Sequence, residues 1–194
     1  VKNVLLGANA GDHLTDADFN VAVGYLALDA DTLGSKSTAI GLQSLSTQNF
    51  TTATDSHNTA VGFQSGLLVT TGVNNTFVGS LAGTGSTSGA NNTGIGYNSL
   101  AANAATNFNT AVGVNSLASA LDGGRNDAHG YNALTADTKG GRSSAFGFGA
   151  LGTQNFTTVT TAYNAAFGYV AGTAITTGVQ NTLIGAEAGD ALTD

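Results

Sequence analysis

Cysteine, proline, methionine and tryptophan are all absent from this 194-residue chain. Without cysteine there are no disulfides, no zinc–thiolate sites and no thiol nucleophile. Without proline, no residue interrupts a backbone ladder by lacking its N–H. Charge is scarce: 9% of residues are charged, and the formal net charge is −7. An acidic chain with five cations matches neither nucleic acid nor an anionic membrane surface. No apolar run approaches the roughly 20 residues of a membrane-spanning helix, so no membrane insertion is expected. The three histidines, His13, His57 and His129, show no nucleophile–base–acid spacing, and there is no HExxH, phosphate loop or nucleophile elbow. Glu187 is the only glutamate and the aspartate cluster sits near one end, which suits no carboxylate-pair hydrolase. The chain reads as a non-enzyme without a cofactor.

Glycine, by contrast, is abundant and regular. Gly7, Gly24, Gly41, Gly62, Gly79, Gly96, Gly113, Gly130, Gly147, Gly168 and Gly185 mark eleven repeats. Their spacing is 17 residues, except for 21 between Gly41 and Gly62 and between Gly147 and Gly168. A fixed period of this length signals a stacked-repeat architecture. Asn or Ser stands four places before each marker glycine, and Ala or Ser three places after it. Short alternations of apolar and small residues, separated by Gly, Asn, Asp and Ser, read as strands and turns. Seventeen residues make about two short strands and two turns. Stacked at ~4.8 Å per rung, eleven rungs form a rod on the order of 50 Å long.

A volume rule supports one shared interior. Leu5, Phe77 and Leu183, two places before the glycine, go with Gly11, Gly83 and Gly189 four places after it. Ala22, Ala39, Gly94 and Ala111 go instead with Leu28, Leu45, Leu100 and Leu117. Such a swap is expected in a tightly packed compartment. The repeats at Gly62 and Gly168 are small at both places, and both follow the long spacers. Tyr25, Phe63, Tyr97, Tyr131, Phe148 and Tyr169 recur one place after the glycine. A thin rung cannot enclose them all, so burial between chains is expected, with a homotrimer the simplest closed arrangement. Both ends stand at the same phase of the repeat (GANAGDHLTD and GAEAGDALTD), and neither looks like a cap. Residues 1–194 are read as a single repeat domain and a segment of a longer fibre.

The words FNVAVGYLAL, NTAVGFQSG and NTAVGVNSL resemble the head repeats of YadA-like trimeric adhesins and the repeats of phage or phage-like tail-fibre proteins. That resemblance implies a parallel left-handed β-roll, all-β, of about eleven rungs, in which three chains associate about a threefold axis. It implies attachment to a host cell surface or extracellular matrix, through a glycan or protein receptor. The setting would be extracellular, on a bacterial surface or a virion. The 17-residue period exceeds the roughly fourteen-residue turn associated with the adhesin heads, which leans toward the fibre branch. Two alternatives stay open: a passive fibre spacer, and an ice-binding solenoid built on the recurring Thr38, Thr59, Thr76, Thr93, Thr110 and Thr182.

Local candidates follow from breaks in the pattern. The spacers STQNFTTATDSH and GTQNFTTVTTAY lie 106 residues apart and imply surface loops. Phe50, Thr51 and Thr52, with Phe156, Thr157 and Thr158, are candidate receptor contacts; a locking collar or a neutral bulge is the alternative. Five places before the glycine stand Lys2, Lys36, Arg125 and Arg142, interleaved with Phe19, His57, Phe108 and Tyr163. Arg125 and Arg142 are candidate glycan contacts, against the plainer reading of a solvated rim or inter-chain track. His129 replaces an aliphatic residue next to Asp127. Three copies on a threefold axis could hold a metal or an anion, whereas a single polar substitution, hydrogen-bonded to Asp127 or to a neighbouring chain, is the simpler fate. No metal site is otherwise expected. Asp12 and Asp29 should stack, and together with Asp16, Asp18 and Asp31 read as a solvated face. The Asn/Ser column reads as a structural ladder.

Overall fold

A computed structural model describes residues 2–193. Eleven three-residue strands, from Val4–Leu6 to Thr182–Ile184, pair in chain order as one parallel sheet. Each marker glycine follows its strand, and equivalent positions pair without slip, as in Thr59↔Thr76↔Thr93↔Thr110. The chain is an all-β, helix-free solenoid of eleven turns among the described residues.

Each turn contributes one regular strand, where two were expected. The return path is built from left-handed corners. Residues five before, two after and four after the glycine hold positive φ, as in Phe108 (61°), Asn115 (55°) and Leu117 (49°). These bends break a continuous strand, yet the rung-to-rung hydrogen bonds persist. Leu28 N donates to Ser44 O, Gly66 N to Ala82 O, and Leu117 N to Ala133 O, each within 2.8–2.9 Å. The buried backbone groups are thereby satisfied without a second strand.

The marker glycine has a steric cause as well as a conformational one. At Gly113, φ is 132°, and a Cβ would lie 2.5 Å from Gly130 O on the next rung. That combination is essentially closed to other residues.

The interior is narrow and filled to contact. Ala22, Ala39, Ala60, Phe77, Ala111 and Ala128 line one wall, and Leu28, Leu45, Leu100, Leu117, Leu134 and Leu151 the other, all fully buried. A Cβ on Gly83 would sit 2.4 Å from the Phe77 ring, so the volume swap is real. It also reaches between rungs. A Cβ on Gly66 would meet both Leu45 at 2.9 Å and Phe77 at 3.3 Å. Gly172 stands likewise between Leu151 and Leu183. The two repeats that are small at both places are making room for large residues above and below. Val69 and Ile175, fully buried seven places after the glycine, fill the space that remains.

Candidate interaction surfaces

The amide column is internal and structural. Asn109 N donates to Asn92 Oδ1 at 3.0 Å, Asn126 N to Asn109 Oδ1 at 3.0 Å, and Asn75 N to Asn58 Oδ1 at 2.9 Å. The same side chains cross the interior: Asn75 Nδ2 donates to Gly89 O at 2.8 Å and Asn92 Nδ2 to Thr106 O at 2.8 Å. Buried amides paired at both ends are fully satisfied and need no ligand.

The long spacers place their residues on opposite sides of the wall. Phe50 and Phe156 turn inward and are only 6% and 4% exposed. Their rings therefore offer no surface for a receptor, which corrects that part of the expectation. Apolar rings next to a close-packed interior gain more from burial than from water. Gly34 makes this possible, since a Cβ there would lie 2.7 Å from the Phe50 ring. Thr51, Thr52, Thr157 and Thr158 stay exposed at the loop tips, beside Ala53 and Val159. After each loop the chain rejoins the wall as a two-residue strand: Thr54–Asp55 pairs with Gly34–Ser35, and Thr160–Thr161 with Gly140–Gly141.

Beneath each loop lies a buried polar clasp that the sequence reading missed. Gln48 Nε2 donates to Asp31 Oδ2 at 2.6 Å and to Ser37 Oγ at 3.1 Å, while Gln48 Oε1 accepts from Asn58 Nδ2 at 2.8 Å. Asp31 Oδ1 accepts from the N–H groups of Gly34 and Phe50. The second copy repeats this with Gln154, Asp137, Ser143 and Asn164. Burial pushes the Asp137 carboxyl above its ordinary value of 3.8, against the opposing pull of hydrogen bonds from Gln154, Gly140, Lys139 and Phe156. The 106-residue super-period was the signal available, since Asp31 and Gln48 recur at Asp137 and Gln154.

Outside, two apolar columns flank the marker glycines along the whole sheet. One runs through Ile40, Val61, Val78, Ile95 and Val112 to Phe146 and Phe167. The other holds Tyr25, Phe63, Tyr97, Tyr131, Phe148 and Tyr169, which are about half exposed. Rings stack from rung to rung: Tyr131 on Phe148 at 4.9 Å, and Phe146 on Phe167 at 4.7 Å. His129 joins this outer stack, 4.6 Å from Phe146, and its Nε2 meets Asp127 Oδ1 at 2.8 Å. Together the columns form a largely apolar, half-exposed stripe, interrupted at Ser80 and His129, that goes beyond scattered surface hydrophobics.

The column of cations and aromatics is exposed and pairs within itself. Lys2 lies 5.0 Å from the Phe19 ring centre, Arg125 lies 5.4 Å from Phe108, and Arg142 lies 5.6 Å from Tyr163. Arg142 also donates to the Tyr163 hydroxyl at 2.8 Å, and Lys36 pairs with Asp55. Near the other end, Asp12, His13 and Asp29 bring ligand atoms within 4.8 Å of one another. Asp12 and His13 are exposed and His13 Nδ1 bonds the Asp29 carbonyl at 2.8 Å, but Asp31, expected on the same solvated face, is fully buried in the clasp, which corrects that part of the expectation.

Fold and surface together define a β-solenoid with a built interior and an unsatisfied apolar exterior. No family model matches the sequence, and neither a curated protein nor a solved structure matches it.

Proposed function

We propose that this chain is a structural and adhesive module of an attachment fibre. In this reading it is a left-handed β-roll that works as a homotrimer, on a bacterial surface or a virion, and carries no catalysis. The exposed apolar stripe supports it. Exposed residues such as Ile95, Tyr97, Val114, Phe148 and Phe167 on the outside of a solenoid gain stability when another surface covers them. The stripe follows the rod axis, so side-by-side copies related by rotation about that axis would each present the same columns. The YadA-like and tail-fibre resemblance of the repeat words supports the same assembly. Light scattering on the purified chain is expected to give three times 19.1 kDa. A folded monomer at micromolar concentration overturns the assembly. Binding of the trimer to candidate host cells tests attachment separately, and a trimer that binds none is a passive spacer.

One further observation favours a second reading. Thr38, Thr59, Thr76, Thr93 and Thr110 align on five consecutive strands of the outer face. A flat threonine array on a solenoid is the chemistry of an ice-binding face. Asp127, Ser144 and Ala165 then interrupt it. Thermal hysteresis in a monomeric preparation would replace the attachment reading with this one.

A further inference from the structure

We infer that the segment of the rim around Phe108, Arg125 and Arg142 is a binding site for a carboxylated saccharide. This deepens the attachment reading and rests on it for its setting. Three of the five cations, Arg125, Lys139 and Arg142, fall on two consecutive rungs of an otherwise acidic protein. Lys36 has a carboxylate partner at 2.5 Å. Neither arginine has one within 4.0 Å among the described residues. Of the aspartates in this stretch, Asp127 is held by His129, Asp137 is buried in the clasp, and Asp122 lines the same cleft as Arg125 without an ion pair among the described residues. The two arginines thus stand without a salt-bridge partner, Arg125 over the Phe108 ring and Arg142 over the Tyr163 ring.

A cleft of about 240 Å³ opens beside Arg125, one rung from Arg142, lined by Thr106, Asn107, Phe108, Asp122, Gly124 and Arg125 among others. Gly124 packs directly on the Asn107 backbone, since a Cβ there would lie 2.9 Å from Asn107 O. Asn107 Oδ1 is occupied by the Ala90 N–H at 2.7 Å, which leaves its amide hydrogens for a guest. The Asp122 carboxylate has no hydrogen-bond partner among the described residues. These groups match the parts of one acidic sugar. A planar guanidinium takes a carboxylate through two parallel hydrogen bonds. The exposed part of the Phe108 ring that Arg125 does not cover offers apolar surface to the polarised C–H groups of a pyranose. Asn107 donates to hydroxyl oxygens and Asp122 accepts from hydroxyl hydrogens. Asp122 and the net charge of −7 together disfavour a sulfated glycan that carries more than one charge per sugar.

The backbone suggests clean variants. Arg125 and Arg142 hold φ of 64° and 62°, and the same column carries Asn74 and Asn91 at 58° and 60°. Arg125→Asn and Arg142→Asn therefore remove the guanidinium and keep the turn. Calorimetry with oligogalacturonate and oligosialate, at matched salt, distinguishes uronate from sialate as the source of the carboxylate. Dextran reports neutral sugar and dextran sulfate reports charge alone. The expected result is that one carboxylated series binds and dextran does not. Arg125→Asn should then lose about tenfold or more in affinity, as befits a charge-assisted pair, and Phe108→Leu should lose severalfold with circular dichroism unchanged. Equal binding of dextran sulfate, or full affinity in Arg125→Asn, overturns the site. No saccharide binding alongside intact cell binding removes this inference and leaves attachment standing. Loss of both removes both.

Discussion

From Asn58 to Asn126 the interior amide column runs unbroken, whereas at Ser37 and Ser143 it lacks its amide. The regular rungs solve the buried-polar problem by copying one side chain, so that each Asn supplies the acceptor that its neighbour's backbone needs. The two long rungs solve it differently. Gln48 and Gln154 reach across the interior, bond the serine hydroxyl and take the next asparagine's amide hydrogens. The difference teaches what this column keeps physically, which is a partner for its buried polar atoms with no fixed residue at the position. The exchange also frees space for an inserted loop whose phenylalanine closes the wall from outside.

The largest test separates the two sides of that loop. Phe156→Ala should cost about 3–5 kcal/mol, the usual range for a buried aromatic. Thr157→Ala, at the exposed tip, should stay within about 0.5 kcal/mol of wild type. Denaturant unfolding measures both, and equal effects would mean that the ring does not plug the wall. Next in size is Gln154→Ala. It leaves Asp137, Ser143 and Asn164 without their buried partner, and a loss of about 2 kcal/mol is expected. A near-neutral result would show that water replaces the amide and that the clasp is dispensable.

The smallest effect concerns pH. Burial raises the Asp137 pKa, so the folded state holds this proton more tightly than the unfolded chain does. The resulting stability is fully present below the ordinary value of 3.8 and is lost as pH rises through the folded-state value. Melting temperature should therefore show a falling component above the ordinary aspartate range, and Asp137→Asn should remove it. An unchanged pH profile in that variant would place the proton elsewhere.

Much of the architecture was legible in the sequence because a stacked solenoid repeats its environment. Gly113 must be glycine for the same reason as Gly96, and Asn92 for the same reason as Asn75. The swap between Phe77 and Gly83 was legible as volume, although its reach across rungs to Leu45 was not. The fate of Phe50 and Phe156 was misread. Their flanking threonines and the loop length point outward, and nothing local says that Gly34 leaves room for the Phe50 ring. The Asp–Gln clasp was hidden in the same way, since Asp31 and Gln48 are an ordinary loop pair until the seven-after column is known to face inward.

The sequence by itself determined the number of rungs, their register and the ladder of asparagines, because each follows from a period that every copy shares. Only the tertiary structure decided which polar residues lie inside, which way each inserted aromatic turns, and how the arginines meet their flanking rings. Those outcomes depend on contacts between different rungs, where the residues that meet are not the ones that repeat.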